Sequence, residues 1–296
     1  MTLKTGPNFG RILGIKLIST SKAKVLRIVR AKIAGSQKFY IVTPNPEIVL
    51  SASYDKVLAK ILNSAEISLP DGVGLAAAKK FLEMPNPKDP ARRFLTLLAQ
   101  GLGVGFSIVF DRGWLLSDFN LIRGREMFLE LITLANKKGW SVFLLGDRQK
   151  SAQKAAEKLE YNFKKIKILA SEGPNLNEDA NPISKTDVRI EERAVKDINK
   201  VSPQLLFVGF GAPRQEKWVH KWLPKLNIGG AMVVGGAFDY ISGTAELPPK
   251  WMAERGLEWL WRLLREPKRA ERILAATANF PLKVFWYKLT NQSKRR

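Results

Sequence analysis

Asp71 is the residue whose type and position best suit acid–base chemistry. It stands in Pro70-Asp71-Gly72, directly after the short apolar run Ile67–Leu69, which predicts a strand. A carboxylate held on a tight turn at the end of a strand can accept a proton from a substrate hydroxyl. Pro-Asp-Gly is also a turn sequence in its own right, so a purely structural role stays open.

Two more polar side chains follow the preceding predicted strand. Thr43 and Asn45 belong to Thr-Pro-Asn-Pro-Glu, which joins the β-rich run Phe39–Thr43 to a predicted helix over Pro46–Asn63. Either side chain could cap that helix, because a side-chain oxygen at this position accepts a free backbone N–H. The alternative is that the hydroxyl and the amide face a cleft. From this segment alone we favour the cap.

Glycines follow several other predicted strands. Gly-Phe-Gly-Ala-Pro-Arg-Gln-Glu (209–216) links a strand to a helix, where glycines let backbone N–H groups approach a ligand and the helix N-terminus favours anions. The candidate nucleotide contacts are Gly146, Gly209, Gly211 and Gly236. A tight turn would explain each of them equally well.

The elements that must position these residues alternate along the chain. Strand-like runs, the first over Arg11–Leu17, are separated by amphipathic helical segments. This rhythm predicts an α/β, Rossmann-like fold: a mostly parallel sheet with helices on both faces. Ligands of such sheets bind beyond the carboxyl ends of the strands, so we expect the strand-end residues to meet there. Two regions, about 84–122 and 247–296, interrupt the rhythm.

Composition excludes several kinds of site. The chain has 296 residues, no cysteine and one histidine, His220. It therefore has no disulfides, no thiolate nucleophile and no multi-histidine metal site. There is no Asp-x-Asp motif either, so we predict neither a metal nor a cofactor. The 49 basic and 27 acidic residues give a net charge of +22, which attracts polyanions such as nucleic acid, anionic lipid or phosphorylated substrates.

The basic C-terminal region contains a helical pattern of arginines and tryptophans. Residues 251–272 read WMAERGLEWLWRLLREPKRAER, which puts Arg262, Arg265, Arg269 and Arg272 near one face. Such a helix can pack on the core, clamp a phosphate or lie on a membrane surface, and these alternatives stay open. The aromatic and basic tail that follows suits a lipid headgroup region.

Six strings together resemble the WecG/TagA/CpsF family of bacterial glycosyltransferases (glycosyltransferase family 26). They are TPNPE, PDGVG, RGRE, GFGAPRQEKW, GGAFDYISG and PKWMAERGLEWLWRLLREPKR, in family order over most of Arg11–Arg272. The resemblance implies inverting, metal-independent transfer of an N-acetylmannosamine-type sugar from a UDP-sugar donor. The implied acceptor is polyprenyl-diphosphate-linked GlcNAc, and the product enters cell-surface polysaccharide or teichoic acid.

The resemblance also assigns roles to residues. Asp71 matches the general base proposed for the family. The matched substrate-binding residues are Thr43, Asn45, Arg123, Gln215, Arg262, Arg269 and Arg272. The three C-terminal arginines are expected to balance charge on the leaving diphosphate.

The same resemblance predicts an organisation and a location. Residues 1–246 would form the Rossmann-like core, and 247–296 a C-terminal helical appendage that associates with the membrane. The protein would then be cytoplasmic and peripheral on the inner face of the cell membrane; a homo-oligomer stays open. Two rival functions are weaker. An NAD-dependent oxidoreductase would need a complete Gly-x-Gly-x-x-Gly after the first strand, and a nucleic-acid-binding protein is suggested by charge alone.

The first of the two interrupting regions, about 84–122, is an insertion in the core, and its segment Phe94–Phe110 contains no charge. Its seventeen residues are short for a bilayer span, which needs about 20. A single crossing would also separate Asp71 from Gln215, so we reject a transmembrane helix. Either a buried helix or hairpin, or a hydrophobic lip that dips into the bilayer, remains. We lean slightly to the lip, which would help to recruit the polyprenyl acceptor.

Overall fold

A six-stranded, all-parallel sheet forms the centre of the molecule, with strand order β4-β3-β8-β7-β5-β6. The computed structural model describes residues 9–147, 149–255, 257–267 and 270–291. The strands are β1 (Phe9–Ile12), β2 (Ile15–Ile18), β3 (Phe39–Val42), β4 (Ile67–Ser68), β5 (Ser141–Gly146), β6 (Lys167–Glu172), β7 (Leu205–Val208) and β8 (Gly230–Val233). Strands β1 and β2 pair only with each other, as an antiparallel hairpin.

Helices connect the strands and continue beyond the last one. Those up to β6 are α1 (Lys22–Ala34), α2 (Pro46–Ala52), α3 (Lys56–Ser64), α4 (Val73–Glu83), α5 (Pro90–Phe110), α6 (Arg112–Leu116), α7 (Gly124–Lys138) and α8 (Ser151–Asn162). The later ones are α9 (Lys185–Val201), α10 (Arg214–Trp222), α11 (Ala237–Ser242), α12 (Lys250–Glu254), α13 (Glu258–Arg265), α14 (Ala270–Leu274) and α15 (Phe280–Thr290). A 3₁₀ turn spans Leu223–Lys225, and a π-helical segment spans Ala275–Asn279.

Alternate residues of the strands supply two hydrophobic cores, one on each face of the sheet. In β3, Phe39 and Ile41 join one core, while Tyr40 and Val42 join the other. Helices α1, α7, α8 and α11 cover the first face, and α2, α3, α4, α9 and α10 cover the second. This alternation is the pattern of a sheet buried on both sides. The predicted α/β fold is therefore confirmed.

Two elements that were each predicted as continuous are interrupted in the structure. Arg11–Leu17 is not one strand, because Leu13 and Gly14 adopt φ values of +49° and +85° and turn the chain back on itself. The helix predicted over Pro46–Asn63 is two helices. Asp55 begins the second one by accepting hydrogen bonds from the backbone N–H groups of the next helical turn.

Helix α5 settles the shape of the inserted segment. It is a single 21-residue helix, about 32 Å long, so the hairpin interpretation is wrong. It is not a buried helix either. Leu97 and Val104 are buried, but a ridge of larger side chains is exposed, with Leu102 68% and Phe106 63% accessible. Among the described residues it is the one helix long and apolar enough to cross a bilayer, by length and composition alone. Its contact with a membrane stays a prediction.

The C-terminal helices pack on the rest of the chain. Phe280 and Val284 of α15 are buried, and α15 contacts α2, α4 and α5. The π-helical segment also lies against α2. These contacts bring the C-terminal region to the same side of the sheet as the loops after β3 and β4. The division at residues 246 and 247 stays a prediction.

Candidate active site

The loops after β3 and β4 are joined around Asp71. Its backbone N–H donates to the carbonyl of Pro44 at 2.9 Å, and its Oδ2 accepts the N–H of Gly124 at 3.0 Å. Gly124 begins α7, and a Cβ atom there would lie 2.9 Å from Oγ1 of Thr43. Real Cβ atoms essentially never approach so closely, so any other residue at this position would require Thr43 or the backbone to shift. Thr43 and Asp71 thus flank Gly124, as the strand-end argument predicts.

Burial raises the pKa of the Asp71 carboxyl above its ordinary value. The N–H of Gly124 opposes this shift in pKa, as do the positive charges of Arg262 and Arg123. The negative charge of Glu258 adds to it. A carboxylate with a raised pKa is a stronger proton acceptor once it is ionised, and perturbed carboxyls of this kind cluster at functional sites.

A cavity of about 630 Å³ opens over Asp71, within the size range of small-molecule sites. One end of this cleft is polar and charged. The charged and amide side chains that line it are Asn45, Glu47, Asp71, Arg112, Arg123, Glu258, Arg262 and Arg272. The other end is lined by apolar residues of α4, α5 and α15.

Three of the predicted arginines line the cleft; two are held by ion pairs, and the third lies over an aromatic ring. Nη2 of Arg123 lies 2.7 Å from Oε1 of Glu258, and Nε of Arg272 lies 2.6 Å from Oε1 of Glu47. The guanidinium of Arg262 lies over the ring of Tyr240, 5.5 Å from its centroid. Within the described ranges Arg262 makes no ion pair, so its charge is available to an anion. Arg269 lies outside the described residues.

Asn45 and Gln215 are both engaged inside the protein. Oδ1 of Asn45 accepts the N–H of Ile48 at 2.9 Å, which confirms the helix cap, and the residue also lines the cleft. Gln215 is buried. It donates to Oε1 of Glu216 at 3.0 Å and accepts the N–H of Gly235 at 3.0 Å. Gln215 therefore joins α10 to the turn after β8 and does not line this cleft; its contact with substrate stays a prediction.

The four candidate glycines lie at the same sheet edge but do not line the cleft. Close packing accounts for two of them. A Cβ at Gly146 would lie 2.6 Å from Cβ of Ala152, and one at Gly209 would lie 2.8 Å from the ring of Phe238. The roles of Gly146, Gly209, Gly211 and Gly236 in nucleotide binding stay predictions.

Sequence reasoning missed four charged residues at or beside the site. Glu47, Arg112 and Glu258 line the cleft, and Nη1 of Arg112 donates to the carbonyl of Ala253 at 2.9 Å. Glu216 is fully buried next to Gln215, and burial raises its pKa to about 7. Glu47 could have been found, because it ends the Thr-Pro-Asn-Pro-Glu string. Glu216 and Glu258 also stand in matched strings, but the burial of Glu216 and the places of Glu258 and Arg112 in the cleft depend on contacts between distant parts of the chain.

No group of three His, Asp or Glu side chains suited to a metal ion occurs in the described part of the chain. The carboxylates of Glu47 and Glu258 are each paired with an arginine instead. Metal independence itself stays a prediction.

Comparison with known proteins agrees with the resemblance. The family model described as Glycosyl transferase WecG/TagA/CpsF family matches residues 10–99 and 112–294. A Bacillus subtilis (strain 168) protein is 27% identical over 237 residues, covering 79% of this chain and 75% of its own. A Staphylococcus aureus (strain MW2) protein is 24% identical over 299 residues, covering 100% and 98%. Both are named N-acetylglucosaminyldiphosphoundecaprenol N-acetyl-beta-D-mannosaminyltransferase. Since the family model matches most of its length, this chain belongs to the WecG/TagA/CpsF family of glycosyltransferases.

Proposed function

We propose that the protein transfers an N-acetylmannosamine-type sugar from a UDP-sugar to polyprenyl-diphosphate-linked GlcNAc, with inversion and without a metal. The names of the Bacillus and Staphylococcus relatives support both the sugar and the acceptor. The observation that carries the proposal is the position of Asp71 beside Arg123 and Arg262 in one cleft. That arrangement joins a proton acceptor to cations that can neutralise a diphosphate.

Asp71 acts as the general base of the proposed reaction. The acceptor hydroxyl loses its proton to Asp71 while its oxygen attacks the anomeric carbon from the face opposite UDP. The bond between that carbon and the UDP oxygen breaks, and UDP leaves with the electron pair. The Gly124 N–H fixes Oδ2, and no donor among the described residues reaches Oδ1, so this oxygen can take the proton.

The arginines stabilise the charge that develops on UDP. Preorganised cations in a water-poor cleft stabilise such charge more than they would in bulk water. Arg262 is the first candidate because it lies over the Tyr240 ring and makes no ion pair with any carboxylate in the described part of the chain. Arg272 is held by an ion pair with Glu47, and Arg123 by ion pairs with Glu126 and Glu258, which fix both guanidinium groups beside the cleft. Thr43, Asn45 and Gln215 orient the sugar and the acceptor, and Arg269 completes the set.

The proposed acceptor requires the enzyme to work at a membrane surface. The exposed apolar ridge of α5 and the exposed Trp286 of α15 support peripheral binding to the inner face of the cell membrane. The net charge of +22 favours anionic lipid. We expect neither nucleic acid nor a cofactor as a partner.

A donor screen tests the proposal. The purified protein is incubated with a GlcNAc-diphospho-lipid and UDP-ManNAc, UDP-GlcNAc, UDP-glucose or UDP-ManNAcA, and UDP release is measured with product mass. We expect acceptor-dependent UDP release and a disaccharide product with UDP-ManNAc. If no donor in the screen gives UDP release, or if UDP release does not depend on the acceptor, the proposal is contradicted.

A further inference from the structure

We propose that the apolar end of the cleft, between α5 and α15, binds the first isoprenyl units of the acceptor next to its diphosphate. This proposal rests on the proposed function and adds a binding site for the lipid chain. It assigns a role to α5, whose second half lies within the stretch 100–111 that the family model does not match.

The groove has walls from two helices. Val104 and Ile108 of α5 line one side, and Phe280 and Val284 of α15 line the other, with Phe81 of α4 also lining the cavity. Between Gly101 and Ile108 the α5 wall extends over about 10 Å. The groove is continuous with the part of the cavity that Asp71, Arg262 and Arg272 line.

Polar contacts hold the two walls together. Lys288 of α15 is buried, and its Nζ donates to the carbonyl of Phe81 and, at 2.9 Å, to Oε1 of Gln100 on α5. Nη1 of Arg93 donates to the carbonyl of Leu289 at 3.4 Å. These contacts seal the end of α15 against α5. The packing of α15 against α4 and α5 therefore forms the groove.

Glycine widens the groove on the α5 side. Gly101 and Gly105 line the cavity one helical turn apart, and a Cβ atom at Gly105 would meet no atom within 4 Å. Glycine inside a helix is destabilising relative to alanine. The packing around Gly105 does not require a glycine, since the space beside it is empty. The glycine instead keeps this space open to the groove.

The chemistry of the two ends identifies the occupant. A ligand that fills the whole cleft must carry an anionic group near the arginines, which the acceptor's diphosphate would share with the UDP of the donor, and an apolar chain along α5 and α15. A polyprenyl diphosphate has that structure. The outer face of α5 supports the same occupant, because Leu98, Leu102 and Phe106 are exposed on the side away from the core. A chain could thus pass from the bilayer into the groove along one helix.

Binding of farnesyl diphosphate, a 15-carbon probe, tests the groove without requiring catalysis. Its Kd is compared by calorimetry with that of inorganic diphosphate for the wild type, Gly105→Leu and Gly105→Ala. Gly103→Leu is the matched control, since Gly103 lies in the same helix, has open space around it and does not line the cavity. Thermal unfolding checks that each variant is folded.

We expect the wild type to bind farnesyl diphosphate at least tenfold more tightly than inorganic diphosphate. Gly105→Leu should lose that preference, Gly105→Ala should lose part of it, and Gly103→Leu should keep it. The proposed lipid site would be refuted if the wild type did not prefer farnesyl diphosphate to inorganic diphosphate, or if a folded Gly105→Leu variant kept that preference. If the preference is present but no UDP-sugar is transferred, the proposed function fails and the groove stands.

Discussion

Glu216→Gln should make the protein more stable than the wild type at alkaline pH. Glu216 is 1% exposed; its Oε1 accepts a hydrogen bond from the amide of Gln215, and its Oε2 has no partner among the residues that the structure describes. Burial raises the pKa of this carboxyl from 4.5 to about 7, with Arg272 opposing the shift and Glu47 adding to it. The folded state therefore disfavours the charged form.

The sign and size of the effect follow from proton linkage. Because the pKa in the folded state is higher than in the unfolded chain, stability is lost as pH rises above 4.5 and levels off above about 7. A shift of about 2.5 pKa units corresponds to about 3 kcal/mol, most of it lost between pH 5 and pH 8. Glutamine carries no charge, so the variant escapes this loss.

The assay is urea unfolding of the wild type and Glu216→Gln at pH 5 and pH 8. We expect the variant to gain about 2 to 3 kcal/mol on the wild type between the two pH values. Glu192→Gln, an exposed change on α9, is the control and should show no such gain. If the free energies of unfolding of the wild type and Glu216→Gln change in parallel with pH, the buried, neutral carboxyl is refuted.

Three further predictions concern the cleft and its surroundings. Transferase activity should survive EDTA, because arginines rather than a metal ion are expected to neutralise the diphosphate. A loss of activity that is reversed by Mg²⁺ or Mn²⁺ would contradict this expectation. Arg262→Ala and Arg272→Ala should each lower kcat by about 10- to 1,000-fold while leaving liposome binding nearly unchanged, and equal losses in both assays would assign these arginines to the membrane. Leu98→Glu with Leu102→Glu should weaken flotation with anionic liposomes and leave the melting temperature within a few degrees, since both side chains are exposed; unchanged flotation would remove α5 from the membrane surface.

Local sequence signals predicted the sheet and the edge at which the site lies. Alternating apolar runs indicated the strands, and Asp71 and Thr43 meet because both follow neighbouring parallel strands, β4 and β3. The cap at Asn45 was also predictable, since an asparagine before a proline is typical of a helix start. The fold, and the meeting of Thr43 and Asp71 at one edge of the sheet, were therefore accessible from patterns of a few residues; the role of Asp71 as the base stays a prediction.

The parts that sequence reasoning missed depend on contacts between distant residues. The break at Leu13 and Gly14 requires a leucine with positive φ, which few sequences favour. The pair Arg272–Glu47 joins residues 225 positions apart, and no local pattern predicts it. The exposure of α5 was undecidable for the same reason, because an all-apolar helix can face either a core or a bilayer.

Asp71→Asn tests the central claim most directly. The substitution keeps the shape of the side chain and removes the proton acceptor, so kcat for transfer should fall by about 10²- to 10⁴-fold. The Kd for UDP, measured by calorimetry on the same preparation, should change less than threefold. Near-normal turnover with intact UDP binding would contradict the role of Asp71 as the general base.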